Sequence, residues 1–143
     1  MADAAIEKLL GGSEVIGHSL KTEMDHYELS RMGLPKKALL SLVGNLNLTI
    51  RSMSKLLNIT ERTIQRKSDL DLMDVSTTEQ ILQIADVYSR GNEVFASAEN
   101  FQIWMNSGNM SLGGKKPFEL LPSRYGARMV LDVIGQLEHG IIS

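Results

Sequence analysis

The chain has 143 residues, of which 43% are hydrophobic and 22% charged, an ordinary balance for one globular domain or two small ones. It contains no cysteine, which excludes disulfides and thiolate chemistry. Few aromatic residues and only three prolines favour helices. No apolar run approaches the ~20 residues that span a bilayer, and the first ten residues lack the pattern of a secretion signal, so we expect a cytoplasmic protein.

Charge is distributed unevenly along the chain. The formal net charge is −2, but the segment 51–67 carries five basic residues and one acid, which leaves +4 on this segment and −6 on the remainder. The basic residues are Arg51, Lys55, Arg62, Arg66 and Lys67. A basic segment on an otherwise acidic protein is typical of an element that contacts phosphate groups.

The first 32 residues show no clean helical period. We interpret them as a mobile arm with short elements that pack on the body, or as a dimerisation arm. From Gly33 the pattern sharpens, because Pro35 stands near the first position of a predicted helix. The apolar residues that share one face of this helix are Ala38, Leu39, Leu42 and Val43.

Residues 50–66 have the pattern of a helix-turn-helix. Thr49 is a predicted cap for a helix over 50–57, and Thr60 for a helix over 61–66. Asn58 occupies the turn position that requires φ > 0, which asparagine tolerates. The predicted shared core is Met53, Leu57, Ile59 and Ile64, with the small Ser54 where the helices cross.

The side chains left outside this core suit DNA, since arginine pairs with guanine and glutamine with adenine in the major groove. The predicted DNA-binding residues are Arg51, Lys55, Thr60, Arg62, Gln65, Arg66 and Lys67. The alternative is that the basic side chains form the solvated face of a small helical bundle.

A linker and a second helical region follow. The linker carries three aspartates (Asp69, Asp71 and Asp74) without the glycine and glutamate of a calcium loop. Ser76 or Thr77 is the predicted cap of a long helix that 89–92 interrupt, with the apolar stripe Ile81, Ile84, Ala85 and Tyr88. A helix over 98–105, capped by Ser97, places Trp104 in the core rather than at a partner surface. The polar loop 106–116 is either exposed or satisfied by a partner.

The last predicted helix covers 124–138. Pro117 closes the preceding loop, and Ser123 is the predicted N-cap. Val130, Val133, Ile134 and Leu137 recur at helical spacing, and Gly140 stands where a left-handed cap belongs. Ile141 and Ile142 then follow, and they either fold back onto the protein's own core or dock on a partner.

Motifs of catalysis are missing. His18, His26 and His139 are far apart in the sequence, and no HExxH, GxSxG, phosphate loop or dinucleotide fingerprint occurs. His139 is interpreted as a cation that interacts with the dipole at a helix C-terminus. We therefore expect a binding protein without metal or cofactor rather than an enzyme.

Two stretches carry a resemblance to a known family. GLPKKALLSLVGNLNLTIRSMSKLLNITERTIQRK and GGKKPFELLPSRYGARMVLDVIGQLEHGI are similar to Xre/ParS-type antitoxins, the partners of RES-domain toxins. The first stretch has the family's G-L-P and R-T-x-Q-R patterns, with Asn58 where glycine is frequent. The matching residues in the second stretch are Gly113, Gly114, Pro117, Leu120, Leu121, Gly126, Ala127, Glu138 and Gly140.

The resemblance covers about 33–143 and implies an all-α fold with a helix-turn-helix domain over 33–75 and a helical toxin-binding domain over 76–143. The N-terminal arm over 1–32 precedes them. The resemblance also implies a homodimeric antitoxin that neutralises an NAD+-consuming toxin by occluding its active site with the C-terminal region, and a helix-turn-helix that binds operator DNA. The implied toxin-binding residues are Lys115, Lys116, Tyr125, Arg128, Asp132, Gln136, Glu138, Gly140, Ile141, Ile142 and Ser143. A stand-alone dimeric helix-turn-helix repressor is the alternative.

Overall fold

A computed structural model describes residues 2–140, with side chains from residue 4, and it confirms the predicted all-α fold. The helices are α1 Ala2–Leu9, α2 Ser13–Ile16, α3 Glu23–Met32, α4 Lys36–Asn45, α5 Ile50–Leu57, α6 Glu61–Gln65, α7 Val75–Val94, α8 Ala98–Met105, a 3₁₀ turn Met110–Leu112, α9 Pro117–Leu120 and α10 Arg124–Glu138. Over 2–140 the structure contains no strand, although an antiparallel bridge joins Pro35 to Leu72. Nor is any helix of this range long and apolar enough to cross a membrane. The predicted toxin-binding residues 141–143 lie outside the described part of the chain.

The chain folds into two compact units, 1–86 and 87–143, and the division falls inside α7. The sequence places its boundary earlier, at the acidic segment 67–75. Backbone hydrogen bonds hold that segment to the first unit: the Met73 amide donates to the Leu34 carbonyl at 2.7 Å, and the Lys36 amide donates to the Asp71 carbonyl at 2.9 Å. Because these backbone groups are hydrogen-bonded within the first unit, the segment is an ordered part of that unit rather than a free linker.

Residues 2–32 form three helices. The sequence predicts short elements that pack on the body here, together with a mobile arm or as a dimerisation arm, and the packed elements are the part that the structure shows. Their buried apolar side chains are Ile6, Leu10, Ile16, Leu20 and Leu29. Both α1 and α2 contact α4, and the Asn45 side-chain amide donates to the Leu9 carbonyl at 3.0 Å. A capping box starts α3, since Thr22 Oγ1 accepts from the Asp25 amide and Asp25 Oδ2 accepts from the Thr22 amide. The Lys21 amide, which donates to the same carboxylate, lowers the pKa of Asp25.

The α5–α6 pair forms the helix-turn-helix that the sequence predicts. The Thr49 hydroxyl accepts from the Ser52 amide at 3.0 Å, and the Thr60 hydroxyl accepts from the Thr63 amide at 3.1 Å, so both predicted caps are confirmed. Asn58 lies in the left-handed region at φ 57° and ψ 36°. The shared core consists of the buried residues Met53, Ser54, Leu57 and Ile64, with Ile59 half-buried.

The N-terminus of α7 differs from its prediction. The helix begins at Val75, so Ser76 and Thr77 lie inside it and neither is the cap. Asp74 stands immediately before the helix, and its Oδ1 accepts from the Thr77 amide at 2.8 Å. This is the geometry of an N-cap, and it places a negative charge at the positive end of the helix dipole.

The centre of α7 also differs, because the helix continues to Val94 without the predicted interruption at 89–92. Gly91 suggests a break when it is considered alone, but here it makes room for a ring. A Cβ atom on Gly91 would lie 2.1 Å from Cζ of Phe101, far inside any ordinary contact distance. This glycine is therefore required by packing between α7 and α8.

Aromatic side chains fill the second unit around Phe101, which is fully buried. Its ring meets Tyr88 edge-on at 5.4 Å between centroids and stacks on Trp104 at 5.9 Å, while Phe95 lies 5.4 Å away. Trp104 is half-buried. It belongs to the core, as predicted, with part of its side chain at the surface.

The last helix, α10, has the predicted bounds. Its N-cap is Ser123, whose Oγ accepts from the Gly126 amide at 3.1 Å. Gly126 also lies against α9, where an added Cβ would come within 2.2 Å of the Leu120 carbonyl oxygen. Gly140 follows the helix at φ 69°, the left-handed position that the sequence predicts. The apolar face buries Val130, Val133 and Ile134.

Candidate functional site

The first candidate site is a basic surface on α5 and α6. Arg51, Lys55, Arg62 and Arg66 are all exposed, and within the described residues none of them forms an ion pair. These side chains lie outside because the apolar residues of both helices turn into the shared core. Four exposed cations on one helix pair are an arrangement that can contact phosphate oxygens or base edges.

The other three predicted DNA-binding residues differ in their exposure and in the hydrogen bonds that their side chains already make. Gln65 is exposed. Lys67 is half-buried, and its Nζ donates to the Leu72 carbonyl at 3.3 Å. The Thr60 hydroxyl is already engaged as the α6 cap and lies 2.8 Å from the Thr63 hydroxyl. The basic surface therefore centres on the four exposed cations and Gln65.

The second candidate site lies on α10 in the other unit. Tyr125, Arg128, Asp132 and Gln136 recur at spacings of three and four, so they form one row along the helix, and all four are exposed. Tyr125 is 77% exposed, which is high for a large ring. We call this row the α10 surface. The sequence predicts these residues as an exposed face, and the structure brings them together.

The C-terminal end of α10 carries an ion pair that the sequence does not indicate. Glu138 Oε1 lies 3.8 Å from Nη2 of Arg90 on α7, and both side chains are partly exposed. Arg90 also lines a shallow depression together with Asp132, Gln136 and His139 of α10. The predicted toxin-binding residue Glu138 therefore has a partner within its own unit.

The loop 106–116 closes on itself through hydrogen bonds between its own backbone groups. The Asn109 amide donates to the Lys115 carbonyl at 3.0 Å, and the Asn109 carbonyl accepts from the Gly114 amide at 2.8 Å. Its side-chain oxygen accepts from the Ser111 amide at 2.8 Å. Lys115 and its neighbour Lys116 are both exposed at the end of this closed loop.

Two family descriptions match this chain. Residues 25–86 match the antitoxin Xre-like helix-turn-helix domain. Residues 90–140 match the antitoxin Xre/MbcA/ParS C-terminal toxin-binding domain. The two matches follow one another along the chain and together span most of it. The chain belongs to the Xre/MbcA/ParS antitoxins. It is thus an antitoxin of a toxin–antitoxin system, with a helix-turn-helix domain and a toxin-binding domain.

One solved structure supports the fold of this antitoxin. A chain of the M. tuberculosis MbcT–MbcA toxin–antitoxin complex matches with a TM-score of 0.54 and 19% sequence identity, covering 71% of this chain and 90% of that one. At this identity the match supports the fold alone. Among curated proteins, none matches the sequence.

Within the toxin-binding domain, the structure exposes apolar residues that the sequence does not single out. Met110 is 92% exposed at the tip of the closed loop, Ile103 is mostly exposed on α8, and Met129 follows Tyr125 by one turn on α10. Helical periodicity predicts that apolar residues lie on the buried face, so the sequence gives no sign that Ile103 and Met129 are exposed. Met110 does give one, because it is a large apolar residue in a loop of glycine, asparagine and serine.

The antitoxin offers no metal centre in the part of the chain that the structure describes. No group of three His, Asp or Glu side chains comes together there. His18 and His26 lie near α3, whereas His139 ends α10.

Proposed function

We propose that this antitoxin neutralises a RES-domain toxin that consumes NAD+, and that it does so by occluding the toxin's active site with its C-terminal region. The observation that supports the proposal is the α10 surface, a row of four exposed side chains on the toxin-binding domain. The row runs towards Gly140, so contact along α10 brings the residues after Gly140 to the same partner. Ile141, Ile142 and Ser143 belong to the proposed contact.

The chemistry of the α10 surface suits such a partner. Tyrosine and arginine are the residues that most often dominate protein interfaces, and Tyr125 and Arg128 lie one turn apart here. A cleft that holds a dinucleotide has to bind its diphosphate, which requires cationic or hydrogen-bond-donating groups. Asp132 is exposed on the same row and presents a carboxylate to groups of that kind. Lys115 and Lys116 are exposed in the same domain and supply positive charge for acidic groups of the partner.

The test is neutralisation of the toxin encoded beside this gene, with intracellular NAD+ as the readout. Induction of the toxin alone should collapse NAD+, and co-expression of the antitoxin should preserve it. Tyr125→Ala is expected to cost about 2 kcal/mol of binding, roughly a thirtyfold weakening. Glu99→Ala is the matched control, because Glu99 is exposed in the same domain but lies on α8. An NAD+ level that the induced toxin leaves unchanged would contradict the proposed chemistry.

Removal of residues 138–143 separates occlusion from simple binding. The shortened antitoxin should still bind the toxin through Tyr125 and Arg128 but should no longer preserve NAD+. Full protection by the shortened chain would show that the C-terminal residues do not block the active site. If neither chain bound the toxin, a stand-alone repressor would become the better description.

We further propose that a homodimer of this antitoxin represses its own operon through the basic surface. Two helix-turn-helix domains related by a twofold axis match two half-sites of an operator. Arg62→Ala and Arg66→Ala should each weaken operator binding and lower the salt slope by about one. Lys67→Ala is the matched control, because its ammonium group is held by the Leu72 carbonyl. Operator binding unaffected by both arginine variants would refute the proposed surface.

A further inference from the structure

The outward face of α3 is apolar where a solvated face would be polar. Met24, Tyr27 and Met32 each expose more than half of their side-chain surface, although α3 already buries Leu29 and Ser30 on its other side. Within 25–86, the range that matches the helix-turn-helix family, two further leucines are equally exposed. These are Leu70 and Leu72.

One of these leucines, Leu72, lies near the end of α3. Gly33 follows the last residue of α3, and a Cβ placed on it would lie 3.2 Å from Cβ of Leu72. The bridge between Pro35 and Leu72 fixes this arrangement. Leu72 therefore lies beside the C-terminal end of α3, where Met32 is exposed. Clustered exposed apolar side chains of this kind mark interaction sites.

Two opposite charges lie in the middle of this face. Glu28 and Arg31 are three residues apart, both are exposed, and neither forms an ion pair within the described residues. On a helix, positions 24, 28 and 31 fall on nearly one line, with 27 and 32 on either side of it. The face thus has a central acid and a central base surrounded by apolar side chains.

We propose that this α3 face is the interface between two copies of the antitoxin, packed antiparallel about a twofold axis. A twofold interface must be complementary to itself. When two α3 helices run antiparallel, Glu28 of one copy meets Arg31 of the other, and the axis repeats this pair. The apolar side chains around the pairs exclude water from them. The inference rests on the proposed homodimer and names the surface that forms it.

Other occupants fit the face less well. DNA requires a cationic surface, and this one is apolar with balanced charge. The toxin has a separate binding domain at 90–140. A second copy of the chain fits best, because the acid and the base are spaced so that two antiparallel α3 helices pair them twice.

Charge reversal tests the interface in the full-length protein. Glu28→Arg places arginine against arginine twice, and Arg31→Glu places glutamate against glutamate twice. Each single variant should raise the dimer dissociation constant about tenfold or more, because like charges face each other across the interface. The double variant restores opposite charges and should dimerise as the wild type does. A mixture of the two single variants should form heterodimers, since each then supplies what the other lacks.

Sedimentation equilibrium over a range of concentrations measures all five samples. Met110→Ser is the control, because Met110 is highly exposed but lies on the toxin-binding domain, so this variant should dimerise normally. A wild-type dimer that both single variants leave unchanged would overturn the α3 interface and leave the proposed homodimer standing. A wild-type protein that stays monomeric at every concentration would overturn both.

Discussion

Replacement of Gly91 by alanine should destabilise the toxin-binding domain, although the same change stabilises most helix interiors. Alanine is favoured over glycine within a helix by about 1 kcal/mol. At this position, however, the new Cβ would lie 2.1 Å from Cζ of Phe101, and ordinary contact begins at 3.4 Å. The ring would have to withdraw by about 1.3 Å, the difference between these distances.

The ring has little room to withdraw. Tyr88, Phe95 and Trp104 surround it with centroids 5.4 to 5.9 Å away. Overpacking of a dense core costs about 1–3 kcal/mol. With the helix propensity subtracted from the upper end of that range, we expect a loss of about 2 kcal/mol in the free energy of unfolding.

Urea denaturation followed by the fluorescence of Trp104 measures this loss, because Trp104 is the one tryptophan of the chain and lies in the affected cluster. Gly135→Ala is the matched control. That glycine also lies inside a helix of the same unit, but its nearest neighbour is Nη2 of Arg90 at 4.0 Å. Gly135→Ala should therefore gain about 0.5–1 kcal/mol.

Removal of the ring distinguishes a steric cause from a change in the helix itself. In a Phe101→Leu background, Gly91→Ala should cost much less than in the wild type, so the two changes should show a favourable coupling energy. Equal stabilisation by Gly91→Ala and Gly135→Ala would refute the reasoning, because it would mean that the ring does not oppose a Cβ atom.

Three further changes test single contacts. Tyr88→Phe should leave the free energy of unfolding within about 1 kcal/mol of the wild type or raise it, because the buried hydroxyl has no hydrogen-bond partner in the described structure; urea denaturation measures the change, and a loss above 2 kcal/mol would contradict it. Asn58→Ala should cost about 1 kcal/mol by the same assay and Asn58→Gly less, because the residue lies at φ 57°. Asp74→Ala should cost about 1 kcal/mol through loss of the α7 cap. Hydrogen bonds from Thr77 lower the pKa of Asp74 below its ordinary value of 3.8, so its contribution is complete above that value and is lost as the pH falls through the lower folded pKa. In an acid titration the wild type should exceed the variant in stability by a constant amount above that range, and the difference should shrink as the pH falls through it.

The sequence predicts most helix bounds correctly where a local cap decides them. Thr49, Ser97 and Ser123 each precede a helix and accept from the third amide after them, so the bounds of α5, α8 and α10 follow from neighbouring residues. The role of Gly91 could not be predicted from neighbouring residues. A glycine is needed there because the fold places the Phe101 ring of the next helix against it.

The candidate sites divide in the same manner. Arg62 and Tyr125 are exposed because apolar residues of the same helices form the buried face. Helical periodicity alone predicts this exposure. Tyr27 is exposed against the tendency of its side chain, and no local pattern indicates this. Lys67 is a residue type that often contacts DNA, but its ammonium group donates a hydrogen bond to the Leu72 carbonyl. The sequence pattern gives no sign of this contact.

The continuity of α7 has a practical consequence for anyone who separates the two domains. A fragment that starts at residue 87 begins in the middle of a helix, with four amides that lose their carbonyl partners and no cap to replace them. A fragment that starts at Asp74 keeps the natural first turn but carries residues whose apolar side chains, such as Ile81 and Ile84, are buried in the whole protein. The toxin-binding domain therefore has no clean N-terminal cut, and a soluble fragment requires polar substitutions along the first three turns of α7.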